Sequence, residues 1–229
     1  MSLPLIITIV AIAIVAYGAF IYFMMKKRKE ALQKYDNPEA YSQAPQIMDE
    51  FLSSRFAAIS KQLQGAPVDA FTQCAYIASL SDKAKSAAMT AAKTVAWAVV
   101  GVKARYNEAD NASYLVLSGD ELHYLFFEEG EAKEHLILDR NRLLNAAVAS
   151  ISGTEKVARM GSIVGRNSHK ITIDIDSEKI DLIYYDAIER YPDSVMAFER
   201  NGFDAIAQFK LMGKYFKDKL YAKYPHLSS

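Results

Sequence analysis

Three periods of apolar and polar positions succeed one another along the chain, and each predicts a different element. Residues 3–25 form an apolar run without a charged residue, closed by Lys26-Lys27-Arg28-Lys29. From 47 onward Met48, Leu52, Phe56, Ile59 and Leu63 recur at helical spacing, which predicts an amphipathic helix. Gly65 and Pro67 supply its stop signal. A second helix is expected over 68–80, with Phe71, Cys74, Ala75 and Ala78 on one face. Ser81 or Asp82 then caps an alanine-rich third helix beginning near Lys83. Its later part, 94–102, admits strand or helix, and continuity with the alanines favours helix. Lys93 interrupts this segment too early for a second membrane span.

From 112 to 186 the period becomes two. Strands are expected at 113–118 and 121–128 about a Gly119-Asp120 hairpin turn, then at 133–139 and 143–151. Ile171, Ile173 and Ile175 alternate with Thr172, Asp174 and Asp176, and Ile180, Leu182 and Tyr184 continue the alternation after a turn. Such alternation means antiparallel strands with one wet face. The chain closes on a helix at 202–222 whose stripe is Ile206, Phe209, Gly213, Phe216 and Leu220.

A helix of the first run's length reaches roughly 34 Å, against a hydrocarbon core of ~30 Å. Only Met1 and Ser2 precede it and the basic cluster follows it, the reverse of a cleaved signal peptide. Tyr17, Phe20, Tyr22 and Phe23 crowd its inner end as an interfacial belt would. The expectation is a single-pass anchor in the cell membrane. The basic stop Lys26, Lys27, Arg28 and Lys29 puts the N-terminus outside and the bulk of the chain in the cytoplasm.

The expected fold class is α+β: transmembrane helix, helical segment, then an antiparallel barrel or sheet closed by a C-terminal amphipathic helix. Its parts are an anchor at 1–29, a linker at 30–46 broken by Pro38 and Pro45, a helical segment at 47–106 and a β domain at 107–229. Cys74 is the single cysteine, which excludes an intrachain disulfide and a cysteine metal cluster. The 27 basic and 27 acidic residues cancel; without the four at 26–29, 23 face 27, a net of −4. A mildly acidic domain argues against nucleic acid as a partner.

Candidate chemistry is sparse. The loop at 152–170 carries Lys156, Arg159, Arg166, His169 and Lys170 with Gly161 and Gly165, a set suited to an anion or lipid headgroup. Lys210, Lys214 and Lys217 share a face of the last helix and extend that possibility to a leaflet, although a solvated helix face needs no ligand to explain it. Asp174, Asp176 and Asp181 are accounted for by strand alternation, so no metal site is assigned. His123, His135, His169 and His226 show no metal-ligand spacing. Nucleophile, phosphate-loop and dinucleotide signatures are missing from the sequence, so neither a catalytic residue nor a cofactor is expected.

The segment Tyr114-Leu-Val-Leu-Ser-Gly-Asp-Glu-Leu-His-Tyr-Leu-Phe-Phe127, followed by Glu134-His-Leu-Ile-Leu-Asp-Arg-Asn-Arg-Leu143 and the final helix, resembles the bacterial pleckstrin-homology-like (PH-like, GRAM-like) domains. The likeness spans about 110 of the 229 residues, 112–223, and is one of strand spacing and apolar positions. Six strands are predicted where that barrel has seven, and 95–102 is the candidate for the seventh. The family's phosphoinositide binders carry a basic first loop; here it is Gly119-Asp120, short and acidic. The resemblance implies a binding scaffold for proteins or lipid surfaces, without catalysis. The expected function is a membrane-anchored cytoplasmic interaction module, contacting lipid through its anchor and a protein partner through the domain. The alternative is a lipid-handling protein with a START-like apolar cavity gripped by the last helix.

Overall fold

The computed structural model describes residues 3–75, 112–128, 130–151, 167–175, 178–192 and 202–228, without the side chains of residues 3, 5–9, 11, 175 and 178. Helix α1 (Leu3–Tyr35) does not end at the basic cluster but runs on through it. Its last turns dock on the C-terminal helix α6 (Phe203–Lys223): Ala31 is buried, Lys34 pairs with Asp204 at 3.7 Å, and the Gln208 amide donates to the Tyr35 hydroxyl at 3.2 Å. Among the described residues no helix is long and apolar enough to cross a membrane. That finding overturns the expected transmembrane helix, and with it the single-pass, N-terminus-outside, cytoplasmic placement. The local reading took the charges at 26–29 as the end of a segment, whereas the continuing helix makes its C-terminal turns part of the folded layer. Val10, Ile12, Ile14, Val15 and Phe20 lie exposed along α1.

Residues 36–46 are not a loose tether. Asn37 caps helix α2 (Pro38–Ser42), its side-chain oxygen accepting from the Ala40 amide at 2.8 Å. Pro45 stands in the first turn of α3 (Ala44–Leu52). A proline there loses no hydrogen bond, so each proline opens a new helix just after the break the sequence reading had placed there. Ala40, Ala44, Ile47 and Met48 are buried.

The expected long helix from 47 is split. The hydroxyls of Ser53 and Ser54 donate back to the Glu50 carbonyl, and the Phe56 amide donates to the Phe51 carbonyl at 2.9 Å. Such side-chain bonds compete with the helical ladder. The break turns Phe56 inward before α4 (Ala57–Gln62) begins.

The described strands form one seven-stranded antiparallel sheet: β1 (Ala70–Cys74), β2 (Ala112–Ser118), β3 (Glu121–Glu128), β4 (Glu131–Leu138), β5 (Ala147–Ala149), β6 (Ser168–Ile175) and β7 (Glu178–Tyr185). Their order is β4-β3-β2-β1-β7-β6-β5, so β1 joins two meanders and β4 and β5 are the edges. The hairpin about Gly119-Asp120 forms as its spacing implies, with Gly119 at φ +54°. Strand β1 stands where a helix was expected, because all five of its residues are buried and it shows no alternation to betray it. It supplies a strand between β2 and β7 that the sequence reading had sought at 95–102, a segment outside the described residues. Asp139 ends β4 by capping the short helix α5 (Arg140–Leu144), accepting from the Arg142 amide at 2.9 Å. This shortens the strand expected at 143–151 to three residues.

The core is aromatic. Phe56 touches the rings of Phe51, Phe71, Tyr114, Tyr191 and Phe209 at centroid distances of 5.1 to 6.1 Å. It thereby ties the α3–α4 turn to β1, β2 and α6. Near the C-terminus, Lys223 pairs with Asp69 and Asp120 and donates to the Gly119 carbonyl, closing the end of α6 onto the first hairpin.

Candidate functional site: a groove beside the β5 edge

At the edge formed by β5 and β6, the end of α6 leaves a groove of about 250 Å³. Val148, Ile151, His169, Lys170, Tyr184 and Tyr221 contribute its walls, and Leu227 closes one end. Register places His169 opposite Tyr184 on β7, and the two rings stack at 5.2 Å and 24°. The Tyr184 hydroxyl donates to that of Tyr221 at 3.1 Å. Burial, and then that hydrogen bond, pushes the Tyr184 phenol far above its ordinary range, so it stays protonated. Burial also lowers the His169 imidazole, helped by the Lys217 charge and opposed by Asp186. A neutral ring results at neutral pH, and its buried Nε2 has no hydrogen-bond partner among the described residues.

Lys170 sits 12% exposed with its ammonium 2.8 Å from the Asp181 carboxylate. Asp181 also accepts from the Thr172 hydroxyl at 2.7 Å. The strand carboxylates are therefore partly explained: Asp181 serves Lys170, Asp174 lies opposite Lys179 in the register, and Asp176 lies outside the described residues. No group of three or more metal-ligating side chains assembles among the described residues.

The entry to β6 is pinned by Asp186, which is nearly buried. One of its oxygens accepts from the Asn167 backbone amide and the other from the Asn167 side-chain amide, both at 2.6 Å. Removing that carboxylate breaks both bonds and leaves the exposed Asn167 amides to water. Asp186→Ala is expected to cost about 2–3 kcal/mol in a urea titration, the scale of lost charge-assisted hydrogen bonds. A loss below about 0.5 kcal/mol would show that the carboxylate carries no net stability there.

Among the described residues, the cationic side chains singled out in the sequence do not converge. Lys156, Arg159 and Arg166 lie outside the described residues. Lys170 belongs to the groove. Lys210 and Lys214 instead line the seam between α6 and α1, beside Leu32, Tyr35 and Asp36. Lys214 pairs with Asp36 at 3.5 Å. On the same seam Tyr41 donates to Asp218 at 3.0 Å, and burial followed by that carboxylate holds its phenol at about 12. Lys217 lies apart, near His169. The basic stop Lys26, Lys27, Arg28 and Lys29 stays within α1, where Lys26 pairs with Glu30. Cys74 is buried, and burial alone raises its thiol well above the ordinary range, the state of an inert side chain.

One pair of chemical interest escaped the sequence reading: His123 and His135 meet at 2.9 Å. Sequence spacing gave no signal for it, because only the shift in register between Phe126 and Phe127 puts the two side chains on the same face of β3 and β4.

No protein-family model, curated protein or solved structure matches this chain.

Proposed function

We propose that the chain is a non-catalytic interaction module on a PH-like scaffold, and that it takes an extended peptide segment along the outer side of β5. The observation that carries this reading is the contrast between the two sheet edges. Edge β4 presents Glu131, Lys133, Glu134 and His135, all exposed, beside a 43% exposed Ile137, and those charges block strand addition. Edge β5 presents Ala147, Val148 and Ala149, uncharged, with Val148 39% exposed. No described strand pairs with its outer side. Backbone pairing along such an edge supplies affinity, and an adjoining groove takes alternate side chains for specificity.

The PH-like scaffold is supported by an antiparallel sheet of seven described strands packed against one C-terminal helix. A lipid-handling reading needs an apolar chamber, and sites for drug-sized ligands run to ~300–1,000 Å³. The described interior is filled instead by Phe56, Phe71, Tyr114, Phe127 and Phe209.

The test is selection of a phage-displayed random heptapeptide library on the full chain, followed by measurement of the enriched peptides against Val148→Lys and Tyr221→Ala. The expected result is enrichment of apolar, strand-forming peptides whose binding falls at least about tenfold with either substitution, the scale of a lost contact worth ~1.4 kcal/mol. Enrichment indifferent to both substitutions would move the site elsewhere. No enrichment over an uncoated surface would sink the proposal.

A further inference from the structure

The histidine pair lies at the other edge of the sheet. In the register His123 faces Ile137 and His135 faces Leu125, so the two rings are diagonal neighbours on one face of β3 and β4. His123 Nδ1 is 2.9 Å from His135 Nε2. Gln62, the last residue of α4, brings its amide nitrogen within 3.3 Å of His135 Nδ1. On the far side the Glu121 carboxylate stands 3.4 Å from His123 Nε2, which is buried.

A bond between two imidazoles requires one N–H and one bare nitrogen. Assigning protons from the network gives one arrangement that fits the ring–ring and Gln62 contacts. The Gln62 amide donates to His135 Nδ1, His135 Nε2–H donates to His123 Nδ1, and His123 Nε2–H is left beside Glu121 without a hydrogen bond to it. Both rings are then neutral. A proton arriving at His135 Nδ1 opposes the Gln62 N–H, a conflict relieved by turning the amide so that its oxygen accepts. A proton arriving at His123 Nδ1 meets the His135 N–H, and no rotation relieves that. The pair therefore accepts one proton with an adjustment, and a second only by separating.

We infer that the His123–His135 pair is an acid-sensitive latch that holds α4 against the edge strand β4. Double protonation separates the rings and releases Gln62 from β4. The other charged groups around it are few. Glu121 on β3 faces His123; on β4, Glu131 and Lys133 pair with each other at 2.7 Å and Glu134 is exposed. On α4, Lys61 lies toward Glu131. On α5, Arg142 reaches the Ile137 carbonyl at 3.5 Å. Facing His123 from β2 is Val116, which carries no charge.

The proton affinities run in the same direction as the geometry. Burial lowers His123, the His135 charge lowers it further, and Glu121 opposes both; burial lowers His135. The folded rings bind protons less readily than the unfolded ones, so stability is lost as pH falls through the ordinary histidine value of about 6.5.

The experiment follows the imidazole resonances of the full chain by NMR from pH 7.5 to 4.5, together with amide hydrogen exchange corrected for its intrinsic pH dependence. The expected result is two coupled titration steps. The second should coincide with a loss of protection in α4 and β4 roughly tenfold beyond that in β6 and β7, the ratio one pKa unit produces. Two rings titrating independently near 6.5, or equal loss of protection at both ends of the sheet, would overturn the latch. His123→Asn combined with His135→Gln should abolish the pH-dependent loss of protection in α4 and β4, and its persistence there in that variant would assign it to other groups. Should that variant fail to fold, the wild-type titration decides the matter alone.

Discussion

Gly213→Ala is expected to leave little folded protein. Helix propensity alone argues the other way, since alanine in a helix interior gains roughly 0.5–1 kcal/mol over glycine. Packing decides the sign. A Cβ at Gly213 would lie far inside van der Waals contact of the Asp186 carbonyl group and the Ala187 nitrogen, which are backbone atoms. They cannot step aside like the end of a flexible side chain. Asp186 is bound to Asn167 on one side, and on the other the Ile188 amide donates to the Phe209 carbonyl of α6 at 3.3 Å. Overpacking of this kind costs 1–3 kcal/mol where side chains can yield. Backbone against backbone should exceed ~3 kcal/mol, a large part of the 5–15 kcal/mol typical of a whole domain. Thermal melting followed by circular dichroism tests this. An unchanged or raised midpoint would show that α6 does not approach the 186–187 segment so closely.

Phe56→Ala is the second change with a large expected effect, a loss of about 3–5 kcal/mol. The ring is fully buried and stands at the junction of five others. Truncation removes its burial and leaves a hollow bounded by Phe71, Tyr114, Tyr191 and Phe209. Phe51 is half-buried at the margin of the same cluster, so Phe51→Ala should cost clearly less. Urea denaturation of both variants makes the comparison. A Phe56→Ala loss under about 1 kcal/mol would mean that the α3–α4 turn is not part of the cooperatively folded unit.

These two residues mark the boundary of what local pattern can convey. Gly213 was legible as a member of the apolar stripe of the last helix, but not as the point of closest approach to a neighbouring segment. Phe56 had the spacing of a continuous helix. It gained its place when Ser53 and Ser54 bound the preceding turn and let the chain bend. The candidate site behaves likewise. Lys170 and His169 were noted as cations of a loop, whereas pairing with Asp181 and stacking on Tyr184 make them parts of a strand wall. The histidine pair lay hidden because its members are twelve residues apart, and only a hairpin with a shift in register between Phe126 and Phe127 aligns them.

By itself the sequence determined those features whose signal repeats within one element. These are the α+β class, the hairpin about Gly119-Asp120, the alternating strands β6 and β7, and the apolar stripe of α6. Period and turn chemistry are properties of a few neighbouring residues, so they can be read from order alone. The tertiary structure decided the rest. It made a strand of 70–74, where burial on both sides erases alternation. It carried α1 beyond its basic cluster and onto α6, where a run of residues read alone had implied a membrane-crossing anchor. It paired Lys214 of α6 with Asp36 and set two histidines in hydrogen-bond contact. Each of these depends on which distant segment lies opposite, and a residue's partners across a fold leave no periodic trace in its own neighbourhood.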